Sequence, residues 1–347
     1  MRFALFVLLF IISISSFSQK VFFKSDIPLT EKHIAPFYSS VALTDGKIFF
    51  QSNNYKTYAF DRKNSQISWE LYTGFKSDVP PVVANANVLI SGESYSLIVD
   101  TTNGQVIDTL LYHDIRHYTV RDNILYATGL HEGGGVFAYD LKSRKMLWDR
   151  YIADGVAIKP YFEADKIVVN AQGVSTWASL SYSSGRSLAG VDTVTTREEL
   201  DPSCLREFEF RTHDGKEVGQ AKAKKLFGKN YFGFQDIMRN DQLTVVLNAD
   251  VVQFLVLGDK LKLVALINTT EMDFGGEDAY VELGSILRID ENKVWFFIGS
   301  YITVIDFVTK KLVRQINLEE WQPHTVHLWK DEIWLISSKD GQLYGLR

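Results

Sequence analysis

Apolar and polar positions change places in short runs along this chain, with the length and spacing of strands. Runs such as Ile48-Phe49-Phe50 and Trp295-Phe296-Phe297-Ile298 are apolar on consecutive positions, as strands covered on both faces are. No segment keeps a 3.6-residue apolar period, so the pattern predicts little helix. One unit recurs: a polar tight turn with Asp, Asn or Glu, a branched aliphatic residue, then a short apolar strand. It occurs at Asp45-Gly46-Lys47-Ile48, Asn85-Ala86-Asn87-Val88, Arg121-Asp122-Asn123-Ile124 and Ala164-Asp165-Lys166-Ile167. It returns at Asn240-Asp241-Gln242-Leu243, Glu291-Asn292-Lys293-Val294 and Lys330-Asp331-Glu332-Ile333. Such turn residues accept hairpin geometry, and the β-branched residues beside them suit strands.

The aliphatic positions stand 40, 36, 43, 76, 51 and 39 residues apart, a period near forty with room for four strands per unit. That is the signature of propeller blades. The expected fold is therefore all-β, a seven-bladed β-propeller, with eight blades as the alternative because the long step is close to twice 38. Gly190 to Cys204 is polar and lacks paired apolar strands. Seven blades with an insertion at about 174–203 is the preferred reading. On that reading the fourth unit resumes at Leu205-Arg206-Glu207-Phe208-Glu209-Phe210 and Glu217-Val218. The last unit has strands near 325–328, 333–337 and 342–346 and then stops one strand short, while Lys20 to Lys24 has no partner at the other end. Joining the two would complete the last blade, close the ring and remove an exposed edge.

Composition narrows the class. With 46% hydrophobic and 13% aromatic residues the chain has ample core material, and its net charge of -5 argues against a nucleic-acid binder. Residues 1–18 have the form of a secretory signal: Arg2, the apolar run Phe3 to Ile12, then small residues at Ser16 and Ser18. This predicts export of a single domain over 19–347, soluble, in the periplasm or the external medium. No later stretch is long enough to cross a membrane as a helix. Cys204 is the only cysteine, which excludes an intrachain disulfide and places no acylation site after the apolar run, so a lipoprotein is not expected.

The units Tyr58-Ala59-Phe60-Asp61…Ile67-Ser68-Trp69-Glu70 and Ala138-Tyr139-Asp140…Met146-Leu147-Trp148-Asp149 resemble the quinoprotein-type (PQQ-like) propeller repeat. In that repeat an apolar third strand and Asp lead through a turn to a fourth strand ending in Trp. The resemblance is carried by residues 37–155 and 281–347. Within that superfamily the dehydrogenases hold a quinone and calcium at the ring centre beneath an adjacent cysteine pair. A chain with one cysteine cannot form that pair, so no cofactor is expected. The resemblance implies instead the non-catalytic branch, whose outer-membrane assembly members are docking scaffolds, commonly eight-bladed lipoproteins; this chain departs from them on both points.

Candidate sites are few. His113, His117 and His131 read as surface or inter-strand histidines, since i, i+4 spacing joins two imidazoles only on a helix, and His324 and His327, three apart, point to opposite faces of a strand; no metal site is expected. Glu132 with Gly133-Gly134-Gly135 reads as a hairpin connection, and Lys222-Ala223-Lys224-Lys225 as a solvated strand end. The insertion brings Trp177, Tyr182, Arg186 and Arg197 into a stretch the repeat does not require, and Trp, Tyr and Arg are common interface anchors. The expected function is an exported non-catalytic scaffold that binds a protein or cell-envelope partner through its loop faces, with no catalytic residues assigned. The alternative is a propeller enzyme acting on extracellular glycans with carboxylates at the channel mouth.

Overall fold

The computed structural model describes residues 19–28, 40–52, 54–75, 80–92, 94–111, 115, 117–129, 134–153, 161–162, 164–169, 178–188, 234–239, 242–248, 253–258, 263–268 and 285–347. Among them every regular element is a strand, arranged as seven antiparallel sheets. After β1 (Val21–Lys24), sheet 1 holds β2 (Ser40–Leu43), β3 (Lys47–Gln51), β4 (Lys56–Asp61) and β5 (Ile67–Tyr72). Sheet 2 follows with β6 (Val82–Ala84), β7 (Asn87–Ser91), β8 (Tyr95–Asp100) and β9 (Val106–Leu111). Sheet 3 is β10 (His117–Arg121), β11 (Ile124–Gly129), β12 (Gly134–Asp140) and β13 (Lys145–Ala153). Sheet 4 is β14 (Tyr161–Phe162), β15 (Lys166–Val169) and β16 (Ala178–Ser181). Sheet 5 is β17 (Phe234–Arg239), β18 (Thr244–Asn248), β19 (Gln253–Leu257) and β20 (Leu263–Asn268). Sheet 6 is β21 (Ser285–Asp290), β22 (Lys293–Ile298), β23 (Tyr301–Asp306) and β24 (Lys311–Asn317). Sheet 7 is β25 (Pro323–Trp329), β26 (Glu332–Ser337) and β27 (Leu343–Leu346), with β1 as its fourth strand in the order β1-β27-β26-β25.

The pairing of β1 with β27 is antiparallel, Val21 opposite Leu346 and Phe23 opposite Gly345. Lys20 and Arg347 also exchange backbone hydrogen bonds of 2.9 and 3.0 Å. Both ends of the described chain therefore lie in one sheet.

Alternate residues of the inner strands face opposite neighbouring sheets. Ile48 and Phe50 pack toward Phe23, Trp334 and Leu343 of sheet 7, while Phe49 packs with Trp69 against Val88, Ile90 and Val99 of sheet 2. The same arrangement joins sheets 2 and 3 through Leu89, Ile98 and Phe137, and sheets 3 and 4 through Tyr126, Ala138 and Ile167. Val245 and Phe296 join sheets 5 and 6, and Phe297 and Leu335 join sheets 6 and 7. Contacts also run between first strands, β2 with β6, β17 with β21 and β21 with β25. Antiparallel sheets stacked face to face in succession, six of the seven four-stranded among the described residues, make this a propeller-type fold. At about 1.5–3 kcal/mol for each fully buried large side chain, such sandwiches offset the chain entropy without a disulfide.

Sheet 4 corrects the strand assignment within the long step. Its third strand is β16, where Ser179 pairs with Val168 and Leu180 with Ile167. Ser181 to Arg186 then turn back so that Leu180 bridges Ser187. The strand register therefore continues inside the stretch assigned to the insertion, with β16 as third strand; Leu205–Phe210 lies outside the described residues. Ser181 stands where other repeats have Asp, and that substitution concealed the unit. The remainder of 189–233, like the proposed signal at 1–18, lies outside the described residues.

Candidate partner-binding surface

The turns between third and fourth strands share one construction. Asp61, Asp100, Asp140 and Asp306 each direct Oδ1 at two backbone N–H groups two and three residues on, at 2.7–3.3 Å. The fifth residue of each turn is left-handed: Ser65 (φ 62), Gly104 (φ 76), Arg144 (φ 57), Gly185 (φ 64) and Lys310 (φ 55). A second bond ties each turn to the first hairpin of its sheet, as from Arg62 N to Gly46 O, Thr101 N to Ala86 O, Leu141 N to Asn123 O and Phe307 N to Asn292 O. First-to-second and third-to-fourth turns thus occupy one end of the sheets.

Tryptophan then joins one sheet to the next. Trp69, opposite Ala59, donates Nε1 to Thr101 O at 3.0 Å and lies flat against Gly104; a Cβ there would sit 2.7 Å from the indole. Trp148, opposite Ala138, does the same to Tyr182 O and Gly185. Between sheets 2 and 3 the position is Asp108, which accepts a hydrogen bond from the Tyr139 hydroxyl. Burial first, then that carboxylate, pushes the Tyr139 phenol well up.

Tyr182 belongs to this machinery. It is half-buried, edge-on to Tyr126 at 4.7 Å, with the Arg121 guanidinium 4.2 Å above its ring. Arg121 also donates to the carbonyls of Ala164 and Phe162. Arg186 is exposed at the end of the same turn. The structure thus brings Tyr182 and Arg186 together, one largely occupied by packing and one facing solvent. Trp177 and Arg197 lie outside the described residues.

A second cluster, which sequence spacing does not show, sits where sheet 7 meets sheet 1. Buried Glu332 binds Arg62 and, at 2.6 Å, Arg347, and accepts from Trp334 Nε1 at 3.0 Å. Arg62 stacks 3.7 Å from the Trp329 ring and donates to Thr44 O. Lys330 and Asp45 pair beside it on the surface.

His117 pairs through its backbone with Thr128; His113 and His131 lie outside the described residues. His327, on β25, keeps part of its surface open, yet protein closes round the ring and burial holds its pKa down. Among the described residues no three His, Cys, Asp or Glu side chains gather as a metal site.

The carboxylates with displaced pKa values all move down. Lys330 lowers Asp45; the Thr102 N–H lowers Asp100; the Ser143 hydroxyl and turn N–H groups lower Asp140; the Thr309 N–H lowers Asp306. Asp340 is pushed up by burial, but hydrogen bonds from Tyr344, Gln342 and Ser337 outweigh it.

No protein-family model and no curated protein matches the chain. Among solved structures it is similar to the computationally designed Ika8 protein, at TM-score 0.54 and 13% identity, covering 92% of this chain and 99% of that one. It is also similar to BamB from Moraxella catarrhalis, at TM-score 0.49 and 9% identity over 88% of this chain and 81% of that one. These likenesses concern the backbone. No helix among the described residues is long and apolar enough to cross a membrane.

Proposed function

We propose that the chain is exported and folds as a seven-bladed propeller of the quinoprotein-like repeat type, closed by its amino-terminal strand. It acts as a non-catalytic scaffold that binds a protein or cell-envelope partner through its loops. The closure rests on β1 lying in sheet 7 and on core clusters that link sheets 1 to 4 and sheets 5 to 7 and 1. The observation that carries the scaffold reading is how the described polar groups are used. Turn carboxylates hold their own turns, and Arg62, Glu332, Arg121 and Trp148 hold neighbouring sheets. The sheets are spent on one another, so recognition falls to loops, where rigid scaffolds usually place it. The segment from residue 189, just beyond the Tyr182–Arg186 turn, is the first candidate.

The test is affinity capture from cell-envelope extract with the chain from Gln19, intact and lacking 189–203; the deletion spares β16 and its turn. Loss of a captured component with the melting transition intact is the expected result. An identical captured set with and without the segment refutes its role. A chain recovered from the cytosolic fraction, with residues 1–18 retained, would remove the export reading.

A further inference from the structure

The turn end of the sheets carries an arrangement that the packing does not use. Lys63, Lys142, Arg144, Arg186, Lys310 and Lys311 stand on the third-to-fourth turns of sheets 1, 3, 4 and 6 or on the residue that follows. All are exposed, and no side-chain hydrogen bond or ion pair to a described residue holds them, although Lys142 lies within the field of Asp140 and Arg144 within that of Tyr139. These turns hold no acids except their starting aspartates, and Asp61, Asp100, Asp140 and Asp306 are turned onto backbone N–H groups. The acids of the turns at this end, Asp45, Asp122, Asp165, Glu291 and Asp331, lie on the first-to-second turns, beside the first strands that meet at the inside. Cations therefore mark the outer rim of a chain whose net charge is -5.

Apolar groups share that rim. Val308 is 64% exposed at a turn tip, and Val106, Met146 and Leu312, each the first or second residue of a fourth strand, are 45%, 37% and 46% exposed. Exposed cations interspersed with single apolar tips, spread over sheets 1, 2, 3, 4 and 6, suit a fluid anionic surface better than a shaped protein epitope. Lysine and arginine are drawn to anionic headgroups, and small apolar side chains can enter the headgroup boundary. The outer strands themselves stay out of the lipid, because an open sheet edge in hydrocarbon leaves its backbone unsatisfied.

From this we infer that the turn rim is a docking surface for a membrane leaflet bearing anionic lipid headgroups. The inference rests on the export reading only for where such a leaflet is met; the loop partner is a separate contact. The experiment is co-sedimentation of the chain from Gln19 with vesicles of phosphatidylcholine alone and of phosphatidylcholine mixed with phosphatidylglycerol. Binding to the anionic vesicles alone, lost at high salt, is expected. The triple variant Lys63→Gln, Lys142→Gln, Lys310→Gln should bind about a hundredfold more weakly at an unchanged melting temperature, since each surface cation contributes about 1 kcal/mol. The corresponding triple Arg variant should bind like the parent chain. No sedimentation with anionic vesicles, equal binding to neutral ones, or full binding by the Gln triple variant overturns the inference. So does a Gln triple variant that loses only a captured acidic protein while the parent ignores vesicles. Capture through 189–203 is scored separately, so either contact can fail alone.

Discussion

The indole of Trp69 is buried at 8% exposure and rests on a glycine that is left-handed at φ 76, so side chain and backbone are fitted to each other. Trp69→Ala should cost about 3–5 kcal/mol in urea denaturation, the range for removing a large buried aromatic. Gly104→Ala should destabilise too, from the left-handed backbone and from displacing the ring. The displacement part should vanish in the double variant, so the glycine penalty should be smaller when Trp69 is already absent; a fully additive pair would show that the two do not meet. Titration acts at this scale as well. Asp100, Asp140 and Asp306 have folded values below the ordinary 3.8, so their contribution is complete above that value and lost as pH falls through the lowered ones. His327 is lowered from 6.5 because the fold holds it neutral, so the unfolded chain gains a proton first and stability declines as pH drops below that value. Denaturation midpoints should therefore begin to fall near pH 6.5 and fall again below about pH 4. His327→Gln should remove the upper step; its persistence would assign that step to another group.

At the scale of elements, the pairing of third with fourth strands carries a register shift in each of the six four-stranded sheets described. A bulge at that place twists the outer edge and discourages strand addition from another chain. Among the described residues β1 is the one outer strand not joined to its sheet by a turn, and side chains reinforce its backbone pairing. Phe23 is 1% exposed and meets Phe60 and Trp334 edge-on or tilted at 6.0 and 5.1 Å. Phe23→Ala should cost about 3–5 kcal/mol by the same measurement. Glu332→Ala leaves buried Arg62 without its carboxylate, and removing one partner of a buried pair costs about 3–5 kcal/mol. The Arg347 side chain is 62% exposed, so Arg347→Ala should matter far less. Equal losses from the two substitutions would show that Glu332 does not act through Arg62.

For the whole molecule, the exchange of backbone bonds between Lys20 and Arg347 makes the chain break an ordinary position between a third and a fourth strand. Joining residues 19 and 347 by a short linker and opening the chain between Lys63 and Asn64 should give a permutant that folds. Its circular dichroism should match the parent, with a melting temperature within a few degrees. An unfolded permutant with an intact linker would show that β1 must be delivered from a free end. A permutant that folds shows that β1 serves as an outer strand of the last sheet whether or not it begins the chain.

Strands, turns and their order were legible in the sequence because they depend on neighbours within a hairpin. Asp45-Gly46, Asn85-Ala86 and Asp122-Asn123 turn the chain wherever it goes, and the apolar runs after them suit a sheet covered on both faces. The spare strand before residue 25 and the short final unit likewise announced their partnership, since a strand's hydrogen bonds must be satisfied somewhere. The unit at 178–188 was missed because Ser181 stands in for the aspartate that marks its relatives. The use of Tyr182 as a packing element, the stacking of Arg62 on Trp329 and its union with Glu332 were decided only by the tertiary structure. Arg62 and Glu332 lie 270 residues apart and meet because stacked sheets return the chain to its start, and no local pattern encodes which distant side chain arrives there.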